Sequence, residues 1–136
     1  MWPRRTLTPY QAFDGDLNSR IAFGGFSGWL QVEFPEPREI SRITTAFGKN
    51  NRTAEYEITG SLDGKTWIPL VPRHTIELTA EQTTLFGDDR LAEPVQVKFV
   101  RTRVAKFLHR RDGKRNWTGI NEQLFNAKEL PSSMLK

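Results

Sequence analysis

Apolar and polar residues alternate along most of this chain with a period of two, the pattern of strands that are wet on one face and buried on the other. Leu30, Val32 and Phe34 alternate with Gln31 and Glu33 until Pro35 and Pro37 end the run. Ile43, Thr45 and Phe47 predict the next strand, closed by Gly48. Tyr56 and Ile58 alternate with Glu55, Glu57 and Thr59 and lead into Ser61-Leu62-Asp63-Gly64-Lys65-Thr66-Trp67. There Asp63-Gly64 predicts a hairpin, which Ile68 and Leu70 close before Pro72. Ile76 with Leu78, and Leu85 with Phe86, are shorter candidates. The longest runs from Val95 to Val104, with Val100, Thr102 and Val104 on one side and Arg101 and Arg103 on the other. Ile120 to Phe125 is the last.

No segment carries apolar residues at helical spacing over several turns. Short strands between turn signals predict an all-β antiparallel sandwich of roughly eight strands. Its expected core is Leu30, Val32, Phe34, Ile43, Tyr56, Ile58, Trp67, Val100, Val104 and Leu124. Trp29 also lies inside a strand phrase and is read as core.

At 136 residues the chain, 1–136, fits a single domain able to bury a real core. With no cysteine, it offers neither a disulfide nor a thiolate ligand or nucleophile. The opening Met-Trp-Pro-Arg-Arg lacks an apolar run of signal-peptide length. No stretch approaches a membrane span, so insertion into a bilayer is not expected.

Twenty basic residues face sixteen acidic ones, and the net charge of +4 allows an anionic partner. The densest basic run, His109-Arg110-Arg111-Asp112-Gly113-Lys114-Arg115, surrounds an Asp-Gly turn signal and reads first as a charged hairpin tip. Phe107 and Trp117 flank it and leave room for stacking on a base or a sugar. That run alone is a weak case for nucleic acid.

One loop carries metal-like chemistry. In Ala12-Phe13-Asp14-Gly15-Asp16-Leu17-Asn18-Ser19-Arg20, the side-chain oxygens of Asp14, Asp16 and Ser19 surround a glycine that lets nearby carbonyls turn inward. A hard cation such as calcium takes six to eight oxygens of this kind. An Asx turn with no ion is the competing reading. The helix–loop–helix calcium spacing is absent.

The chain resembles the discoidin family, the coagulation-factor C-terminal domains, within the galactose-binding-like jelly rolls that include the family 32 carbohydrate-binding modules. Four phrases carry the resemblance: Ala12 to Asp16; Gly28-Trp29-Leu30-Gln31-Val32-Glu33-Phe34; Tyr56-Glu57-Ile58 running on to Trp67; and Gly119-Ile120-Asn121-Glu122. It implies a jelly roll with a structural calcium held by Asp14 and Glu122, the carbonyls of Gln11, Asp16 and Asn121, and the carbonyl and hydroxyl of Ser19. Ser19 stands where the family usually has threonine, and Ile21 where it has tryptophan. The short N-terminus implies a trimmed first strand.

The resemblance also implies a non-catalytic, lectin-like glycan-binding role on loops at one end of the sandwich. Such sites set an aromatic ring against the sugar and a few polar groups around its hydroxyls. The candidates are Phe23 and Phe26 in a glycine-rich loop, Asn51 and Arg52 in the next connection, and Trp117, with an acidic glycan as one option. The alternative is a structural or protein-binding subunit using the same fold. An extracellular-type fold without a visible signal suggests a cell-surface or virion setting, such as a phage decoration or tail-associated adhesin. An enzyme is not expected. Asp14 and Asp16 share one loop and do not bracket a scissile bond, and neither His74 nor His109 has a serine or cysteine context that spacing recommends.

Overall fold

A computed structural model describes residues 18–24, 27–48, 51–109, 120 and 122–130. Six strands are present among them: β1 (Asn18–Gly24), β2 (Ser27–Gly48), β3 (Asn51–Ser61), β4 (Ile68–Glu77), β5 (Leu85–His109) and β6 (Glu122–Phe125). Every pairing is antiparallel, in the order β1-β2-β5-β3-β4, with β6 also on β2. No helix occurs among the described residues. The all-β sandwich expected from the alternation is what forms.

Two long strands build both layers. The first part of β2 pairs with the last part of β5, from Gly28↔Val104 to Glu33↔Phe99. The second part of β2 pairs with the first part of β5, from Arg38↔Val97 to Gly48↔Leu85. Counting each long strand once per layer gives the roughly eight expected. Pro35 and Pro37 do not end β2, as their place in the sequence suggested. They sit where the register slips between Glu33 and Arg38. A proline removes a ladder donor, so it is tolerated where the ladder is already broken, and there the strand can bend. Pro94 lies within a second slip, between Ile40↔Val95 and Arg42↔Arg90.

The bend folds the sheet over a single core. Leu30, Val32, Phe34, Ile43, Tyr56, Ile58, Val100 and Val104 are buried as expected, joined by Ile40, Phe47, Val97, Ile120 and Phe125. Phe34 meets Phe125 edge to face at 5.1 Å, an arrangement that suits the ring quadrupoles. Two expectations fail. Trp67 is only partly buried, and Leu124 packs with Leu130 over Ala46 and Phe86 in a small separate cluster on the outside of the second layer.

Polar groups tie the layers together. Gln123, on β6, donates from Nε2 to Thr45 Oγ1 at 3.0 Å and to Thr102 Oγ1 at 2.8 Å, linking β6 to both layers inside the core. Outside the second layer, the Arg42 guanidinium donates to Asp88 at 2.7 Å through both Nε and Nη2. Its Nη1 donates to the Ala127 carbonyl at 2.7 Å. Asn126 Oδ1 accepts the Ser41 amide at 2.8 Å, so residues 126–130 lie latched over that face. At the opposite edge of the sheet, β4 carries Pro69 and Pro72.

Tyr56 crosses from the first layer to donate its hydroxyl to Asp89 Oδ2 at 2.5 Å. It fits because residue 87 is glycine: a Cβ there would collide with the Tyr56 hydroxyl. Gly87→Ala should therefore destabilise the protein by about 1–3 kcal/mol or more, the range for overpacking. Part of that penalty should vanish in a Tyr56→Phe background, because the colliding oxygen is gone. A double-mutant cycle from urea melts measures the coupling; simple additivity would contradict this packing.

Candidate ligand-binding surface

The candidate ligands for metal and sugar fall largely outside the described residues: Gln11, Asp14, Asp16, Phe26, Trp117 and Asn121 do. The backbones of Ser19 and Phe23 lie on β1, paired with Val32 and Gly28. Glu122 opens β6 opposite Ala46. Asn51 is fully buried, and its Nδ2 donates to the Phe47 carbonyl at 2.5 Å, which braces the β2–β3 connection from within. Arg52 is exposed, while its carbonyl accepts the Leu78 amide at 2.8 Å. Among the described residues no group of His, Asp and Glu converges as a metal cluster.

The β3–β4 connection forms as its residues dictate. Gly64 has φ +78°, the left-handed conformation that glycine adopts without strain. Asp63 Oδ1 accepts the amides of Lys65 at 2.8 Å and Thr66 at 2.9 Å. Those amides hold its carboxyl below the ordinary carboxylate range. The turn delivers Trp67 to the outer face of the first layer.

That face is where the described chemistry gathers. Trp29, expected in the core, points outward because it alternates with buried Leu30; it is half-buried. Arg101 lies over the Trp67 ring at 4.2 Å and near the Trp29 ring at 5.7 Å. Its Nε and Nη2 both donate to Gln31 Oε1, at 3.0 and 2.7 Å. Burial, and then the neighbouring Arg103, lower its pKa from the usual guanidinium value. The Trp67 ring also meets Phe99 at 6.3 Å. A shallow groove of about 340 Å³ crosses the same face, lined by Gly28, Trp29, Arg73, Arg103, Val104 and Ala105. The sequence pattern had set Arg101 and Arg103 on one side of β5. Applied to Trp29, the same alternation would have turned that ring outward too.

A second cluster lies between the layers. Asp89 accepts from Tyr56 and stands 3.7 Å from His74 Nε2, while the His74 ring packs on Tyr56 at 4.7 Å. His74 is thus a neighbour of a carboxylate, which its sequence context did not show. Burial pushes the Asp89 carboxyl above the ordinary range; the Tyr56 hydrogen bond and His74 pull it back, and Asp88 adds to the rise. Asp88 itself is held low, chiefly by the Arg42 hydrogen bond.

Comparison with known proteins places this geometry. The model for the F5/8 type C domain matches residues 2–123. A pectin-binding carbohydrate-binding module is 26% identical, with a TM-score of 0.63 over 84% of this chain and 76% of that one. The family 32 module of Clostridium perfringens NanJ, solved with galactose, is 14% identical with a TM-score of 0.56, over 80% of this chain and 92% of its own. The family 32 module of AlyQ, solved with 4,5-unsaturated mannuronic acid, is 15% identical with a TM-score of 0.55, over 86% and 84%. None of the curated protein sequences matches the chain.

Two outcomes follow from the described clusters. Trp67→Ala should leave the protein folded, because the ring is half-buried and its main partner is a surface guanidinium; a loss of about 1–2 kcal/mol is expected. A thermal melt checks this, and complete unfolding would restore Trp67 to the core. The second outcome concerns pH. A buried acid whose folded pKa is raised binds its proton more tightly in the folded state, so its stabilising effect is present at low pH and fades as pH rises through the folded value. Wild type should therefore lose stability relative to Asp89→Asn as pH climbs from the ordinary carboxylate range through the raised value. Asp88 acts in the opposite sense: its contribution is present above the ordinary range and is lost as acid removes the Arg42 pair. Parallel melts of wild type and Asp89→Asn across that range isolate Asp89, and a constant difference between them would show that it does not titrate there.

Proposed function

Because the chain belongs to the F5/8 type C (discoidin) domain family, we propose that it is a non-catalytic, lectin-like module that binds glycans at a cell surface or in a polymer. The observation that carries this reading is the 26% identity, over 84% of the chain, with a module whose own ligand is pectin. The proposed sugar site comprises Phe23, which the structure puts near the end of β1 and not in a loop, Arg52 near the start of β3, Phe26 and Trp117, with Asn51 bracing the β2–β3 connection from inside. Guanidinium pairs with carboxylate in a bidentate way, so Arg52 would favour acidic glycans. A virion setting, as a phage decoration or tail-associated adhesin, belongs to the same proposal.

A structural calcium is part of this reading. What supports it is the family resemblance of the Asp14 loop and of Asn121–Glu122; in the register Ser19 stands opposite Val32 and Glu122 opposite Ala46, in different layers. Asp14, Ser19 and Glu122, with carbonyls from Gln11, Asp16 and Asn121, would hold the ion. Their oxygen chemistry suits a hard cation. When bound, calcium would tie the first loop to the last strand.

The alternative, a protein-binding subunit, is favoured by Leu62 and Ile68, which are 55% and 42% exposed beside a groove at the β3–β4 turn. A glycan array read with calcium and with chelator separates the two. Phe26→Ala or Trp117→Ala should weaken glycan retention while leaving stability within about 1 kcal/mol. Asp14→Ala should abolish the calcium-dependent rise in melting temperature. A blank array beside stable assembly with a protein partner would favour the alternative.

A further inference from the structure

We propose that the groove across the outer face of the first layer binds carboxylate-bearing sugar chains, with Arg103 taking the carboxylate and Trp29 supporting the sugar ring. The proposal rests on the glycan-binding reading above, but it uses a different surface from the loops.

Register aligns the groups. Trp29 pairs with Arg103 across β2 and β5, and Arg103 pairs with Glu57 across β5 and β3. Glu57 then accepts from Arg73 Nε, on β4, at 3.0 Å. One row of side chains therefore spans four strands, and the groove of about 340 Å³ follows it from Trp29 to Arg73. That volume lies in the range of small-ligand sites, and an aromatic wall with a few fixed polar groups is how such sites orient a ligand.

On this face Arg73 and Lys98 are paired with carboxylates, whereas Arg101, Arg103 and Lys106 form no ion pair among the described residues. Arg73 has Glu57 at 3.0 Å and Glu55 at 3.9 Å; Lys98 has Glu33 at 3.6 Å. Arg101 donates to the neutral amide of Gln31, which fixes its plane and leaves its charge uncompensated. Arg103 is exposed; Glu57 stands opposite it in the register but turns its carboxylate to Arg73, and among the described residues no salt bridge reaches Arg103. Two adjacent guanidinium groups that repel each other gain from an anion placed between them, and the guanidinium fork matches a carboxylate. The interleaved Glu33, Glu55 and Glu57 disfavour a nucleic-acid backbone, whose phosphates need a continuous basic track. An isolated pair of positive groups beside indole rings suits spaced carboxylates on a sugar polymer.

The test is affinity electrophoresis of the full chain through gels containing de-esterified polygalacturonate, its methyl-esterified counterpart or single-stranded DNA. Wild type, Arg103→Glu, Trp29→Ala, Phe26→Ala and Trp117→Ala are compared. Wild type should be retarded by polygalacturonate and should bind the ester form about tenfold or more weakly, the value of a lost charged hydrogen bond. Arg103→Glu should lose retention by a similar factor while staying folded, its melting temperature lowered only slightly because the new carboxylate faces Glu57 across the sheet. Phe26→Ala and Trp117→Ala, which remove the loop site, should leave the Arg103-dependent share of that retention in place. Undiminished binding by folded Arg103→Glu overturns the proposal, as does equal binding of the ester form. Retention by DNA that Arg103→Glu abolishes would reassign the groove to phosphate polymers. If wild type holds a glycan only through Phe26 or Trp117, the sheet-face site fails and the loop reading stands. If it holds none, both fail.

Discussion

The structure depends on β2 and β5 each belonging to both layers. A sandwich made of two separate sheets needs only its core to hold it. Here the ladder itself passes from one layer to the other at Pro35–Pro37 and beside Pro94. Proline cannot donate to a neighbouring strand, so these positions mark where the ladder breaks and the backbone turns. Because the bend is in the chain, the facing side chains are brought together without a long connection. Phe34 against Phe125, and Phe47 against Tyr56, are the result.

Inside that frame the buried polar groups give direction where apolar packing alone would not. Gln123 satisfies two threonines from different layers, and Tyr56 reaches Asp89 over Gly87. Each contact is specific in register: shifting β6 by one residue would put Gln123 on the outer face. Hydrogen bonds of this sort add little net stability, but they are costly to leave unmade, so they discriminate between neighbouring registers. The outer faces differ. One is latched by Arg42 and residues 126–130; the other presents Trp29, Arg101 and Arg103.

Much of this was legible in the sequence, and the misses have physical causes. Period-two alternation placed Leu30, Val32, Phe34, Tyr56, Ile58, Val100 and Val104 correctly, because burial on one face is a local pattern. Asp63-Gly64 gave its turn because a left-handed backbone is a local property. The prolines were misread as strand ends, since a sequence does not tell an ended strand from a bent one. Trp29 and Trp67 were assigned to the core because they lie inside strand phrases, although alternation with Leu30 placed Trp29 on the wet side. The Arg42 latch, the buried Asn51 amide and the meeting of His74 with Asp89 depend on long-range or inward geometry that no spacing reveals. The loop carrying Asp14 and Asp16, with Phe26 and Trp117, lies outside the described residues, so the family resemblance remains the ground for those assignments.

Pro69 and Pro72 on β4 have a consequence for self-association. A terminal strand with a full set of amides is a template on which a second copy can add its own edge and extend the sheet. Two residues of β4 have no amide to offer, so a continuous intermolecular ladder along this side is interrupted wherever one of them would have to donate. Growth into fibrils or open sheets is discouraged at that edge. On a polymeric ligand of the kind proposed above, copies can crowd together without fusing through their backbones.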